Sequence, residues 1–373
     1  MQELSDFGSG SDGVLNITSN TTESVIDSAC TGSSGGTSLS ATNASFADDQ
    51  LIFIHQTRGT GAGSWEFNII DSYVAGTITT VFDLINTYAS GAQVRKVNQY
   101  SSLTIAAGFT YTVKAWNGTV GGLFINFVSG DTTIEGTLSG KGTNGGSSIS
   151  DKQGYGGDGG GFRGGRNSQD GSSAERGEGY TGTYTDEGTT NAGNGGGGGS
   201  GSAGDNGGAG GGNALAASNS DHSLGGEAVG NAAMTAMFLG GGGGGGRNDG
   251  DQTAGGGGNG GAIIYIQSQG IVFGASGLIT VNGGNGGTAG GGAVSGGGGG
   301  AGGCVFLRSV YMSIGTNRIT ANGGSKGSNT ASDGGRGWIR LESCSIVGST
   351  TQGTINTEEG GHDFCQTFIH IYG

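Results

Sequence analysis

Proline is absent from this 373-residue chain, which removes collagen-type triple helices and proline-rich linkers from consideration. Core-building side chains are scarce too. Hydrophobic residues make up 32% and charged residues 12%, so a core is expected in part of the chain rather than through all of it. No run of about twenty apolar residues occurs, so no membrane-spanning helix is expected. Basic residues are outnumbered, 15 Lys and Arg against 29 Asp and Glu for a net charge of −14. Without a basic face to displace counterions, nucleic acid is excluded as a partner. The opening MQELSDFGSGSDG has neither the basic nor the apolar region of a secretory signal, so if Met1 is the native start, export by the usual route is not expected.

Chemistry-bearing clusters are also missing. Cys30, Cys304, Cys344 and Cys365 show no CxxC or Cys/His spacing, and His55, His222, His362 and His370 are dispersed; no metal and no cofactor are expected. The cysteines read first as buried small hydrophobes, with a Cys344–Cys365 disulfide as the alternative. Asp48, Asp49, Asp131, Asp249 and Asp251 do not fall in a calcium-loop pattern. No Ser or Cys sits in a nucleophile motif, and no carboxylate pair suggests glycoside cleavage. The expectation is that the chain is not an enzyme.

What is abundant is glycine, 93 residues, seven of them consecutive from Gly240 to Gly246. Glycine costs roughly 0.5–1 kcal/mol more than alanine to order, so either these tracts stay loose or their backbones bond to one another. GxGxxG matches many windows by chance in such a chain, and no GKS or GKT follows, so a phosphate loop is not supported.

Four related units emerge from the apolar alternation: GGLFINFVSGDTTIEGTLSGKG from Gly121, GGAIIYIQSQGIVFGASGLITVNGG from Gly260, GGCVFLRSVYMSIGTNRITANGG from Gly302 and RGWIRLESCSIVGSTTQGTINTEEGG from Arg336. Ile264 and Ile266 alternate with Tyr265 and Gln267, Val305 and Leu307 with Phe306 and Arg308, Ile339 and Leu341 with Arg340 and Glu342. One face is apolar and the other mixed or polar. The fold class expected is all-β: stacked short strands, β-helix-like or a sandwich, with long glycine-rich excursions. The expected domains are an N-terminal β domain at 1–142, a glycine-rich excursion at 143–259 and C-terminal β repeats at 260–373.

Excursions at Lys141 to Asn259, Asn282 to Ala301 and Asn322 to Gly335 leave at one point of the repeat, so they should project from one edge and become neighbours. A three-residue-per-turn extended helix leaves every N–H and C=O free for outside partners, and without Cβ atoms such rods can bond to each other as polyglycine helices. Seven glycines would span roughly 22 Å in that form, with Arg247 to Ala254 as an exposed turn at the rod ends. The competing reading is a loose glycine-serine linker. Ordered packing is favoured because each excursion returns to a strand held in register.

The N-terminal third has a different texture, with β alternation, single glycines at turns and most of the large aromatics. The order DDQLIFIHQTRG, WEFNII, AQVRKVNQYSSLTI, AWNGTVGG and then GFRGG at Gly161 to Gly165 resembles the glycine-rich surface proteins of bacteria. That resemblance covers roughly residues 45 to 345 and implies a secreted or cell-surface component. The architecture also resembles the glycine-rich adhesins of phage tail fibres, in which polyglycine rods carry variable receptor-binding loops. That likeness implies a virion protein made without a leader.

Under these readings function lies where glycine gives way to bulkier residues at excursion tips. The receptor-binding candidates are Tyr155, Phe162, Arg163 and Arg166; Tyr180, Tyr184 and Asp186; and His222, Met234, Met237 and Phe238. Exposed aromatics suit contacts with a host surface glycan or outer-membrane protein. Each has a blander reading: Met234, Met237 and Phe238 as a satellite core, Arg163 and Arg166 as clamps on carbonyls, His222 as a solvated side chain. Trp65, Trp116 and Trp338 read as core or edge packing. The function expected is a non-enzymatic virion tail-fibre or receptor-binding adhesin, on the virion or an extracellular surface. The alternative is a structural protein that polymerises or coats a capsid, cell surface or filament, with other virion or filament subunits as partners. A polysaccharide-degrading β-helix enzyme ranks third.

Overall fold

A computed structural model describes residues 7–150, 159–168, 172–183, 185, 187–200, 206–248, 253–290 and 295–359. Its regular structure is all β, with no α-helix among the described residues. In chain order, β1 (Val14–Ile17) and β2 (Thr21–Thr22) precede six strands: β3 (Asp27–Gly32), β4 (Ser38–Ala41), β5 (Leu51–Gln56), β6 (Trp65–Val74), β7 (Thr77–Thr80) and β8 (Tyr88–Lys96). Next come β9 (Asn98–Tyr100), β10 (Ser102–Ile105), β11 (Thr110–Thr112), β12 (Leu123–Ile134) and β13 (Thr137–Ser139). The short β14 (Ser147–Ser148) and β15 (Ala254–Gly255) flank the longest glycine-rich segment. The last strands are β16 (Ile263–Phe273), β17 (Leu278–Thr280), β18 (Cys304–Thr316), β19 (Ile319–Thr320), β20 (Trp338–Ser349) and β21 (Thr354–Glu359).

Two parallel sheets form a stack. One runs β1-β10-β12-β16-β18-β20-β21 with β9 beside β12, and the other runs β19-β17-β13-β11-β2. The units from Gly121, Gly260 and Gly302 each supply one strand to each sheet before the chain moves up a layer, whereas the unit from Arg336 supplies β20 and β21, both to the first sheet. Register places like on like: Phe124 beside Ile264 beside Val305 beside Ile339, and Ile266 beside Leu307 beside Leu341. These side chains join Leu138, Ile279 and Ile319 of the second sheet in one buried cluster. Fully burying one such side chain contributes roughly 1.5–3 kcal/mol.

The mixed face of the first sheet is buried as well, which the alternation does not reveal. Strands β3 to β8 close into an antiparallel six-stranded barrel, ordered β3-β4-β7-β6-β5-β8, with its own interior of Leu39, Ile52, Ile54, Ile70, Ile78 and Val94. The barrel's outer residues Phe53, Trp65 and Phe67 pack on Phe127, Tyr265 and Phe306 of the stack, with the Tyr265 and Phe306 rings 4.9 Å apart in edge geometry. Arg340 and Glu342 on that face pair with each other and are buried. A parallel sheet covered on both sides is the usual arrangement.

Domain boundaries shift accordingly. Strands β12 and β16 pair from Leu123↔Ile263 to Ile134↔Phe273, so the stack runs straight across the expected boundaries at 142 and 260. The excursion allows this by leaving and returning at one edge, where the Ala262 N–H donates to the Gly140 carbonyl at 2.8 Å. The inserted unit is the barrel, between β2 and β9.

The glycine-rich segments lie side by side and are hydrogen-bonded to one another. Along Gly240 to Arg247, partners recur every third residue. The N–H groups of Gly240, Gly243 and Gly246 donate to Gly261, Gly258 and Gly255; those of Gly241, Gly244 and Arg247 donate to Gly212, Ala209 and Asn206; those of Gly242 and Gly245 donate to Glu178 and Glu175. The carbonyls accept on the other three sides, from Phe162, Gly165 and Ser168, from Gly196 and Gly199, and from Ala301 and Gly298. The central segment thus bonds to six neighbours, which satisfies its otherwise orphaned buried backbone groups.

That packing explains the residue type. A Cβ on any of Gly240 to Gly246 would meet a backbone carbonyl well under 3.0 Å away, in turn from segments 295–301, 194–197 and 163–166. The ordered segment also runs past the glycines. Arg247 and Asn248 are 4% and 1% exposed, so the expected exposed turn does not begin at Arg247, and Asp249 to Gln252 lie outside the described residues.

Candidate functional site

Of the sequence-derived candidates, several are held inside. Phe162 is fully buried, its ring at 90° to that of Trp116 with centroids 5.9 Å apart. Met234 and Met237 are 1% and 0% exposed and belong to the cluster between barrel and stack. The Met237 N–H donates to the Gly63 carbonyl at 3.0 Å, and the Trp65 indole donates to the Met234 carbonyl at 3.0 Å. These three are corrected from receptor contacts to packing, because apolar side chains flanking a glycine bundle have a nearby hydrophobic surface to join. Tyr155, Tyr184 and Asp186 fall outside the described residues.

The arginines are corrected likewise, though they clamp carboxylates and not only carbonyls. Arg166 grips Glu175 through two charge-assisted hydrogen bonds of 2.7 Å. Arg163 Nε donates to Glu178 Oε2 at 3.1 Å and its Nη1 to the Asn117 carbonyl at 3.2 Å. Glu178 has no exposed side-chain surface and also accepts from Arg58 Nη1 at 2.8 Å and from the Trp116 indole at 2.8 Å. One carboxylate therefore joins the barrel (Arg58), the stack (Trp116) and the bundle (Arg163). A buried carboxylate is tolerated when its oxygens are filled in this way.

Besides the two paired arginines, which keep part of their surface, the described candidates with accessible surface are His222, which is exposed, and Tyr180 and Phe238, which are half-buried. The Tyr180 and Phe238 rings meet edge-on at 5.7 Å, and the Tyr180 hydroxyl donates to Glu227 at 3.3 Å. Desolvation and Glu227 push the Tyr180 phenol upward, so it stays protonated at neutral pH. The tip Tyr180–Thr183 docks on the barrel end, where the Gly59 N–H donates to the Tyr180 carbonyl at 2.8 Å.

A groove of ≈ 220 Å³ follows this seam, lined by Arg58, Gly59, Ser90 and Gly91 of the barrel and Tyr180 to Thr183 of the bundle. It offers hydroxyls, backbone groups, one aromatic ring and a guanidinium already paired with Glu178. Gly91 sits at φ +97°, and a Cβ there would strike Arg58, so glycine is required for the close approach that shapes the groove. Arg58, Ser90 and Gly91 are not among the sequence-derived candidates; the only signal was single glycines at the turns of QTRGTG and YASGAQ.

His55 is fully buried and hydrogen-bonded at both nitrogens, to Thr57 at 2.9 Å and to the Met237 carbonyl at 2.9 Å. Burial lowers its pKa to about 4, and its place is in packing. No group of three His, Cys, Asp or Glu able to hold a metal occurs among the described residues. Cys30 and Cys304 are free and buried, as small hydrophobes are expected to be, whereas Cys344 is disulfide-bonded; Cys365 lies outside the described residues. No described helix is long and apolar enough to cross a membrane.

Comparison with protein-family models and with curated proteins gives no match. Among solved structures, the chain aligns with the tailspike of Acinetobacter baumannii bacteriophage AP22, solved in complex with A. baumannii capsular saccharide, at 7% identity and a TM-score of 0.21 over 93% of this chain and 38% of that one. It aligns with the tailspike of Pseudomonas phage LKA1 at 11% identity and a TM-score of 0.23, over 92% of this chain and 44% of that one. The chain thus spans less than half the length of either. At such TM-scores the likeness carries no functional argument, and the reading below rests on the chain's own geometry.

Proposed function

We propose that this chain is a non-enzymatic receptor-binding adhesin of a phage tail fibre, contacting a host surface glycan or outer-membrane protein through the tips of its glycine-rich segments. We read those segments as polyglycine helices. The observation that carries the reading is the contrast between the six-neighbour hydrogen bonding of Gly240 to Arg247 and the side chains at its margins. The positions Gly240 to Gly246 have no room for a side chain, and exposed side chains gather at turns such as Tyr180–Thr183 and Asp221–His222. A rigid platform presenting short variable tips suits recognition, because little entropy is lost when the tips bind.

The test is adhesion of the purified chain to a panel of bacterial strains, with Tyr180→Ala and Thr181→Ala together as the variant. Binding to some strains, lost in the variant while circular dichroism is unchanged, is the expected result. Equal binding by the variant would overturn the tip assignment. The structural alternative draws on a different observation: β1 ends the parallel sheet with no outer partner among the described residues, and its Val14 is 69% exposed. An unpaired edge is a template for another chain, and self-assembly into filaments with no adhesion would favour that alternative.

A further inference from the structure

The barrel end that meets the bundle carries a second concavity. The turns β3–β4, β5–β6 and β7–β8 all lie at this end, and the first residues of β8 separate two clefts. On one flank is the Tyr180 seam. On the other is a cleft of ≈ 450 Å³ lined by Thr31, Ser33, Thr37, Ser38, Thr87 and Tyr88 together with glycine backbone. Its volume is in the range of small-molecule sites. The side-chain hydroxyls of Ser33, Thr37 and Ser38 have no hydrogen-bond partner among the described residues, and no charged residue lines the cleft.

Beside it the β7–β8 loop presents apolar surface. Phe82 is 55% and Ile85 75% exposed, on a loop pinned to the β3–β4 turn. Ser34 Oγ donates to the Ile85 carbonyl at 2.9 Å, and the N–H groups of Gly35 and Leu84 donate to the carbonyls of Leu84 and Gly36 at 2.8 Å each. Underneath, Glu66 accepts from the Ile85 and Asn86 N–H groups at 2.9 and 3.2 Å. The Phe82 ring does not line the cleft but stands on the same loop that supplies Thr87 to the lining, and the Phe82 N–H donates to Asn68 Oδ1 at 3.2 Å.

We propose that this cleft is a binding site for an uncharged saccharide. Hydroxyls that both donate and accept match sugar hydroxyls, and an exposed ring matches the C–H face of a pyranose. The lining supplies no cation for an acidic glycan, and the net charge of −14 repels one at low salt. The proposal deepens the adhesin reading and rests on it for its biological role, though not for the binding itself.

Saturation-transfer NMR on the full chain tests it, with maltotetraose, cellotetraose and mannotetraose as neutral probes and tetragalacturonate as the acidic one. At least one neutral probe should bind, and Ser38→Trp, which fills the cleft, and Phe82→Ala should each weaken it by about tenfold, the scale on which truncating an anchor acts. Both positions are exposed, and unchanged circular dichroism separates lost binding from lost fold. Preference for the acidic probe, indifference to both variants, or no binding of any probe would each overturn the cleft assignment. The adhesin reading is judged separately by cell adhesion of the Tyr180 variant, so its failure is distinguishable.

Discussion

The barrel and the glycine bundle touch along one seam and are held together by opposite means. In the barrel, Leu39, Ile52, Ile54, Ile70 and Ile78 are removed from water, so stability comes from hydrophobic burial and side-chain interlock. In the bundle the interior is mostly main chain, each N–H of the central segment finding a carbonyl on a neighbour and the buried Asn194 and Asn259 side chains bonding to backbone groups. Order there comes from satisfied backbone polar groups and close approach without Cβ atoms. The difference teaches that a chain poor in hydrophobic residues can still build a buried interior, provided that most of that interior is main chain.

The largest way to break the comparison acts at the seam. Glu178→Ala leaves Arg58 and Arg163 without their shared buried partner, and a loss of about 3–5 kcal/mol in urea unfolding is expected, as for other broken buried ion pairs. A loss under about 1 kcal/mol, the range of surface pairs, would show that the barrel and the bundle are not coupled there. Next is a single added carbon: Gly243→Ala places a methyl on the backbone at Gly298, and about 3 kcal/mol is expected, the upper range for overpacking. Stability equal to the parent would mean that the bundle is loose at its centre.

The pH test comes third. Protonation of His55 is disfavoured in the fold, with the pKa lowered from 6.5 to about 4. The unfolded chain therefore binds the proton first as pH falls. The contribution of His55 is fully present above pH 6.5 and is lost between 6.5 and 4, about 3 kcal/mol in all. His55→Gln should flatten the unfolding free energy across that window, and an unchanged slope would remove His55 as its source. The smallest effect is the barrel's counterpart to the added methyl. Ile54→Val removes one carbon and should cost about 0.5–1.5 kcal/mol, less than Gly243→Ala. The reverse order would undo the distinction between the two regions.

Reading these elements from sequence succeeds unevenly. Alternation in GGAIIYIQ and GGCVFLRS identifies the inward residues Ile264, Ile266, Val305 and Leu307, because a period of two is local to the strand. It does not reveal that Tyr265 and Phe306 are buried under a barrel, since the covering residues Trp65 and Phe67 are some two hundred positions away. Phe162 looks like an exposed tip among glycines, while the sequence leaves Met234 and Met237 between tip and satellite core, and Arg163 and Arg166 between receptor contacts and clamps on carbonyls. Their partners Trp116, Trp65, Glu178 and Glu175 are assigned only by packing.

By itself, then, the sequence determined the all-β class, the repeated β layer, the shared edge from which the glycine segments leave, and the absence of side chains that makes close backbone packing sterically open. Those are consequences of local period and residue size. The tertiary structure alone decided the closed barrel and its seat on the stack, the six neighbours of Gly240 to Arg247, the shared carboxylate of Glu178 and the two clefts at the barrel end. Each depends on which distant segments become adjacent, and glycine, with no side chain to specify a partner, leaves that choice to the strands that fix where every segment begins and ends.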